Sequence, residues 1–372
     1  MNPYKPTLFE RLLSFGARNV LGRLPGSVQT LLAFLLTFRR RRVIKGKKLD
    51  PCLHLMISVS RLRNHYGLCE PDPVTARARF QKEVLIFQGP KTEVGEVRDL
   101  EIAGEGGGSL PARLYRPDTP EPEGGRRLLV FFHGGGFVIG DIETHDEPCR
   151  LLCKHADTVV LSVEYHLAPE RKHPHAVEDV LAAFDAARAR AAEFGASPRL
   201  VSVGGDSAGG NLSAVVAQQR RDDPPSAQLL IYPATDGSER SDSYESRKSY
   251  GEGLAITQAD YEAFGHHYIE GSGVERNDPR ISPLCATDFK GLPPALVVTA
   301  GFDLLHDDGE KYFENMKAAA ADGAAAERDF KLLPFDTLTH GFLHMTGVCA
   351  CARDAAIKIA RRWRELLDST GR

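Results

Sequence analysis

The segment Gly205-Asp206-Ser207-Ala208-Gly209 lies between a short apolar run at 200–204 and a helix-like stretch at 211–219. A serine set among small residues at a strand-to-helix junction demands a sharp backbone turn, and few chain plans supply one. Glycine at 205 and 209 removes the Cβ that would obstruct the turn. The helix that follows directs its free N–H groups and positive dipole end at the serine. From Leu128 onward the chain repeats this alternation. Apolar runs at 128–132, 159–163, 200–203, 228–232, 295–299 and 330–333 are separated by helical stretches such as 177–190 and 309–321. Buried strands alternating with helices predict an α/β fold, with a mainly parallel central sheet and helices on both faces.

Ahead of this core the pattern is helical. Leu8, Phe9, Leu12, Leu13, Val20 and Leu21 recur at helical spacing, and Pro25-Gly26 interrupts them. A second apolar block spans 28–38, and a third, 53–62, follows Asp50-Pro51, which suits a helix start. Short β-like runs are expected at 83–87, 97–102 and 112–115. The interval from Pro233 to Pro294 is too long for a simple crossover, so residues 236–276, with a helix over 257–270, read as an insertion. The expected division is an N-terminal cap or arm at 1–82, a core at 83–235 and 277–372, and an inserted cap segment at 236–276. The two cap pieces together form a lid.

Charge is unevenly placed. The net charge is −3, yet residues 1–50 hold eleven Lys/Arg against Glu10 and Asp50, which is +9 and leaves −12 for the rest. The apolar run 31–36 is short, lies late and is followed by Arg39–Arg42, which argues against a cleaved leader; no stretch approaches the ~20 apolar residues of a membrane span. Two readings of residues 1–48 follow. Either their apolar blocks are cap helices buried on the lid, or the segment rests on an anionic membrane surface or a second copy of the chain, as in a homodimer. The seven cysteines form no CxxC pair and no zinc-site spacing, so reduced thiols, a cytoplasmic location and no metal are expected.

Nucleophilic chemistry at Ser207 needs a base, an acid to orient it and donors for an oxyanion. A bare helix-capping serine would not need glycine on both sides. Asp303 follows the strand at 295–299, and the carboxyl ends of parallel strands are where ligands and reactive groups gather. Asp307 and Asp308 compete, but Asp307 with Glu310 reads as a capping box. His340 follows the last strand and is the expected base. His344 is expected to pack on the C-terminal helix, His266-His267 to sit on the lid, and His133 to organise its loop. Gly134-Gly135-Gly136, just past the strand at 128–132, can offer N–H donors.

His133–Gly136, Gly205–Gly209, the turn at 164–170, the loop at 278–284, Asp303 and His340-Gly341-Phe342 all fall in register. The chain resembles the hormone-sensitive-lipase-like family of bacterial carboxylesterases, in its GDSAG subgroup, over roughly residues 50–365. The resemblance implies an α/β-hydrolase core with a helical cap, hydrolysis of short-to-medium acyl esters, and no cofactor. It implies a triad of Ser207, Asp303 and His340, and an oxyanion hole of the Gly135, Gly136 and Ala208 N–H groups. His133, Gly134, Gly205, Asp206 and Gly209 support these residues. The expected partner is a small-molecule ester, not a nucleic acid. The family often carries Arg where His166 stands. Amidase or lactonase chemistry would use the same residues. A non-catalytic member of the fold generally lacks a triad residue, and none is missing here.

Overall fold

Strands at Val159–Val163, Gln228–Ile231 and Ala295–Phe302 are buried at every position, as strands covered on both faces must be. The computed structural model describes residues 16, 20, 23–37, 41–44, 46–63, 67–70, 72–252, 254–321 and 329–371. Among these, one sheet holds eight strands: β1 (Glu96–Ala103), β2 (Ser109–Arg116), β3 (Arg126–Phe132), β4 (Val159–Val163), β5 (Ala196–Asp206), β6 (Gln228–Ile231), β7 (Ala295–Phe302) and β8 (Phe330–Thr339). Their order is β8-β7-β6-β5-β3-β4-β2-β1. Pairing is parallel from β8 through to β4, and β2 is antiparallel to both β4 and β1. The expected α/β architecture is therefore present.

The helices are α1 (Gly26–Thr37), α2 (Pro51–Arg63), α3 (Pro73–Phe87), α4 (Asp146–Ala156), α5 (His175–Ala189), α6 (Ala208–Gln219), α7 (Glu245–Tyr250), α8 (Gln258–Ile269), α9 (His306–Ala321) and α10 (Ala350–Thr370). Helix α4 packs on α10, and α5 on α6. Trp363, Phe131, Phe132 and Phe184 are fully buried in the resulting core. No described helix is long and apolar enough to cross a membrane.

Three N-terminal expectations change. The run 83–87 is not a strand but the last turn of α3. That helix starts where Asp72 accepts the Thr75 N–H at 3.0 Å and Pro73 takes the first position. Ala76 and Val84 are buried at helical spacing, and a boundary at 82/83 would cut this helix. The block 28–38 forms α1, which packs on α2 through Ala33 but leaves Val28, Leu31 and Leu35 37%, 55% and 56% exposed. Its apolar face is thus not all buried on the lid. The pattern at Leu8 to Leu21 lies outside the described residues, apart from 16 and 20. In the insertion, the helix expected over 257–270 is α8. Thr257 caps it in a reciprocal box with Asp260, and α7 is a short helix that the residue pattern did not announce.

Candidate active site

β5 ends at Asp206 and α6 begins at Ala208, so Ser207 occupies the turn itself. Its φ of +54° and ψ of −116° are a conformation that a side-chain-bearing residue seldom adopts, at a cost of ~1–3 kcal/mol. The turn is held by Ser207 N–H donating to Ile231 O at 2.9 Å and by Asn211 N–H reaching Ser207 O at 3.0 Å. The flanking glycines answer to space rather than to backbone angle. A Cβ at Gly205 would lie 2.3 Å from Phe132 O, and one at Gly209 would lie 1.8 Å from it. Close approach to β3 is what excludes any larger residue.

β7 delivers Asp303 and β8 delivers His340 to the same end of the sheet. His340 Nε2 lies 2.9 Å from Ser207 Oγ, and His340 Nδ1 lies 2.8 Å from Asp303 Oδ2. Asp303 is buried, and its Oδ1 accepts the Leu305 N–H at 2.8 Å. This bonding leaves Nδ1 as the donor to Asp303 and Nε2 as the acceptor for the serine hydroxyl. The neighbouring acids are engaged elsewhere. Asp308 faces the buried Arg247 at 3.2 Å. Asp307 makes no capping box, because α9 already starts at His306; its Oδ2 accepts the Ser246 N–H at 3.2 Å, while Glu310 pairs with His306.

The glycine loop packs over the elbow. Gly135 has φ +121° and Gly136 φ +61°, and a Cβ there would meet Ile139 O at 2.0 Å and Phe264 Cγ at 2.2 Å. The Gly135 carbonyl accepts from Val138 and Ile139, fixing the plane of the peptide that carries the Gly136 N–H. Gly134 N–H donates to Asp206 Oδ1 at 2.9 Å, so the acid beside the nucleophile ties the loop to the elbow. His133 is buried and stacks on Tyr165 at 4.4 Å, and Tyr165 donates its hydroxyl to His133 O at 2.7 Å. Burial pushes the His133 imidazole down to about 3, so it organises the loop as a neutral ring. Burial opposes charge on Asp206, yet the His145 ring 3.1 Å away holds its carboxyl below the usual range.

His344 does not turn to the C-terminal helix. Its ring meets Phe80 edge-on at 5.2 Å, and its Nε2 lies 3.1 Å from His145 Nε2. His266 is exposed on α8, beside Glu270. His166 makes a firm contact under its turn: its N–H and ring Nδ1 meet Asp179 Oδ2 at 2.9 and 2.7 Å. Arg77 of α3 clamps the same turn, with two bonds to Glu170 at 2.8 and 2.6 Å and one to Ala168 O at 2.7 Å. Arg77 and His145 drew no attention in the sequence. The first sat in a segment taken to precede a strand, and the second has its partners far along the chain.

Ser207 and His340 open on a cavity of about 1000 Å³ lined mainly by apolar side chains, among them Ile57, Phe80, Phe264 and Met345. Helices α2, α3 and α8 supply this wall. A mainly apolar cavity beside a serine–imidazole–carboxylate chain can seat a hydrocarbon chain next to a reacting carbonyl.

A family model for the α/β-hydrolase fold matches residues 129–344. The chain is similar to the carboxylic ester hydrolase LipN of Mycobacterium tuberculosis, at 44% identity over 320 residues, covering 84% of this chain and 81% of LipN. It is 32% identical to ethyl acetate hydrolase of Pseudomonas putida over 296 residues, which cover 78% of this chain and 90% of that enzyme. Among solved structures, the hyperthermophilic esterase of Pyrobaculum calidifontis matches with a TM-score of 0.76 at 34% identity, over 86% of this chain and 98% of that one.

Proposed function

The chain belongs to the hormone-sensitive-lipase-like family of α/β-hydrolases and is a carboxylic ester hydrolase, and from that premise we propose that Ser207, His340 and Asp303 cleave short-to-medium acyl esters through an acyl-enzyme. The observation that carries this reading is the unbroken chain of contacts at 2.9 and 2.8 Å from Ser207 Oγ through His340 to Asp303.

Ser207 Oγ attacks the ester carbonyl carbon as its proton passes to His340 Nε2. Asp303 holds the ring and balances the imidazolium. The Gly135, Gly136 and Ala208 N–H groups receive the oxyanion, and one such donor is worth roughly 3–4 kcal/mol in the transition state. His340 then protonates the departing alkoxide, leaving an acylated serine. Water repeats the sequence in reverse roles: its proton goes to His340, its oxygen to the acyl carbon, and Ser207 recovers its hydroxyl. No step needs a metal or cofactor.

The helical wall supports a lid built from the segment through α3 and from residues 236–276, with the acyl group lying against it. Each methylene that enters gains ~0.8 kcal/mol, or roughly fourfold in kcat/KM, for as long as it fits. A series of p-nitrophenyl esters should therefore rise to roughly C4–C8 and then fall. A steady rise to C16 with activation at an oil interface would make the enzyme a true lipase, and faster turnover of an anilide or lactone in the same screen would move the substrate class.

A second reading of the N-terminus is favoured by the outward face of α1. Val28, Leu31 and Leu35 share one exposed stripe, and Arg39–Arg42 follows it in the sequence. Such a stripe beside basic residues suits reversible docking on an anionic membrane, at ~1 kcal/mol per basic residue. Unbridged thiols suit a reducing, cytoplasmic setting for it. The protein should co-sediment with phosphatidylserine vesicles at low salt, and Leu31→Glu with Leu35→Glu should abolish this without loss of esterase activity. If the unaltered protein ignores such vesicles, this reading fails.

A further inference from the structure

Behind the catalytic serine, three ligand atoms from three distant parts of the chain converge. His145 Nε2 lies 3.1 Å from Asp206 Oδ1 and 3.1 Å from His344 Nε2, and all three atoms fall within 4.8 Å of one another. The His145 ring is oriented through its other nitrogen. His145 Nδ1 meets Thr144 Oγ1 at 2.9 Å and Asp141 O at 3.3 Å. Thr144 spends its own proton on Asp141 O at 2.8 Å, so the imidazole must be the donor in that contact. His145 and Asp206 form a buried ion pair, and a divalent ion would displace the proton between them and take His145 Nε2, Asp206 Oδ1 and His344 Nε2 as ligands. Gly134 N–H lies 2.9 Å from Asp206 Oδ1 and 3.3 Å from His145 Nε2, and the Tyr232 hydroxyl donates to Asp206 Oδ2 at 3.3 Å.

We propose that His145, Asp206 and His344 form a binding site for a divalent transition metal of the zinc or ferrous class. Two imidazoles and one carboxylate are the donor set these metals take. The carbonyl and hydroxyl partners on Nδ1 are the outer contacts that orient metal-bound histidines. Donor atoms 3.1 Å apart match adjacent ligands each ~2.1 Å from one ion. His145 and Asp206 are fully buried, but His344 is half-buried and lines the catalytic cavity, which gives the ion an entry path. An ion here would bind Asp206, and through Asp206 would fix Gly134 at the base of the glycine loop. The site was invisible to a search for short His/Cys spacings because its ligands lie in three separate segments.

The test is titration of the chelator-treated enzyme with Co²⁺, followed by its visible absorption, and with Zn²⁺ in competition. One equivalent of Co²⁺ is expected to give a ligand-field band that Zn²⁺ removes. His344→Phe, which keeps the ring against Phe80, should weaken Co²⁺ binding by about 100-fold or more, and Thr144→Val by roughly 10–100-fold. Ser207→Ala should leave the band intact, which separates the ion from the hydrolytic machinery. The proposal is overturned if the unaltered enzyme takes up neither ion, if His344→Phe binds Co²⁺ as well as the parent, or if ¹⁵N spectra in excess Zn²⁺ still find a proton on His145 Nε2.

Discussion

Ser207→Ala is expected to reduce kcat/KM for a p-nitrophenyl ester by 10³-fold or more, on the order of what loss of a serine nucleophile costs elsewhere. The fold should survive. Ser207 makes its structural bonds through the backbone, to Ile231 O and from Asn211 N–H, and alanine keeps both. Its Oγ has one partner of consequence, His340 Nε2. Labelling by a fluorophosphonate should vanish with the hydroxyl, while circular dichroism and the melting temperature stay near those of the parent. Adding His340→Ala should cost little further, because the two act as a unit and the residual rate comes from the oxyanion donors and binding. Activity within tenfold of the parent would sink the serine reading and revive a non-catalytic role for the fold.

The alternation of strands and helices from β3 onward was plain in the residue pattern, because strands buried on both faces are nearly continuous in apolar residues and glycine or proline separates them. The reacting serine, its base and its acid were legible for a related reason: each directly follows a strand that the pattern already marked. What failed was local competition. Residues 83–87 form a short β-like apolar run, yet Asp72-Pro73 starts a helix ten residues earlier that runs through them. Asp307 and Glu310 have capping-box spacing, but the Leu305 N–H to Asp303 Oδ1 bond and the start of α9 at His306 leave no such role for Asp307. Gly205 and Gly209 are expected where a Cβ would obstruct the turn, but only the structure names the obstacle, the carbonyl of Phe132, which leaves no room for one. Contacts of that kind join positions far apart in the chain, and periodicity carries no trace of them. The same holds for the meeting of His145 with His344 and for the clamp of Arg77 on the 168–170 turn.

Three neighbouring candidate acids then offer a sharp discrimination. Asp303→Asn is expected to lower kcat by about 10⁴-fold with little change in stability. The carboxylate accepts the His340 Nδ1 proton at 2.8 Å; an amide NH₂ turned to that nitrogen would instead donate, placing the ring proton on Nε2, where it can no longer take the Ser207 proton. The asparagine oxygen can still accept the Leu305 N–H, so the loop holds. Asp307→Asn keeps an acceptor for the Ser246 N–H and should alter kcat less than about twofold and stability by under ~1 kcal/mol. Asp308→Asn should act on the fold instead. It leaves the buried Arg247 guanidinium without its counter-charge, at a cost on the order of 3–5 kcal/mol, while folded enzyme keeps its turnover. Steady-state kinetics beside urea unfolding separates the three. A large fall in kcat for folded Asp308→Asn, with Asp303→Asn near the parent, would mean that the wrong carboxylate has been placed behind His340.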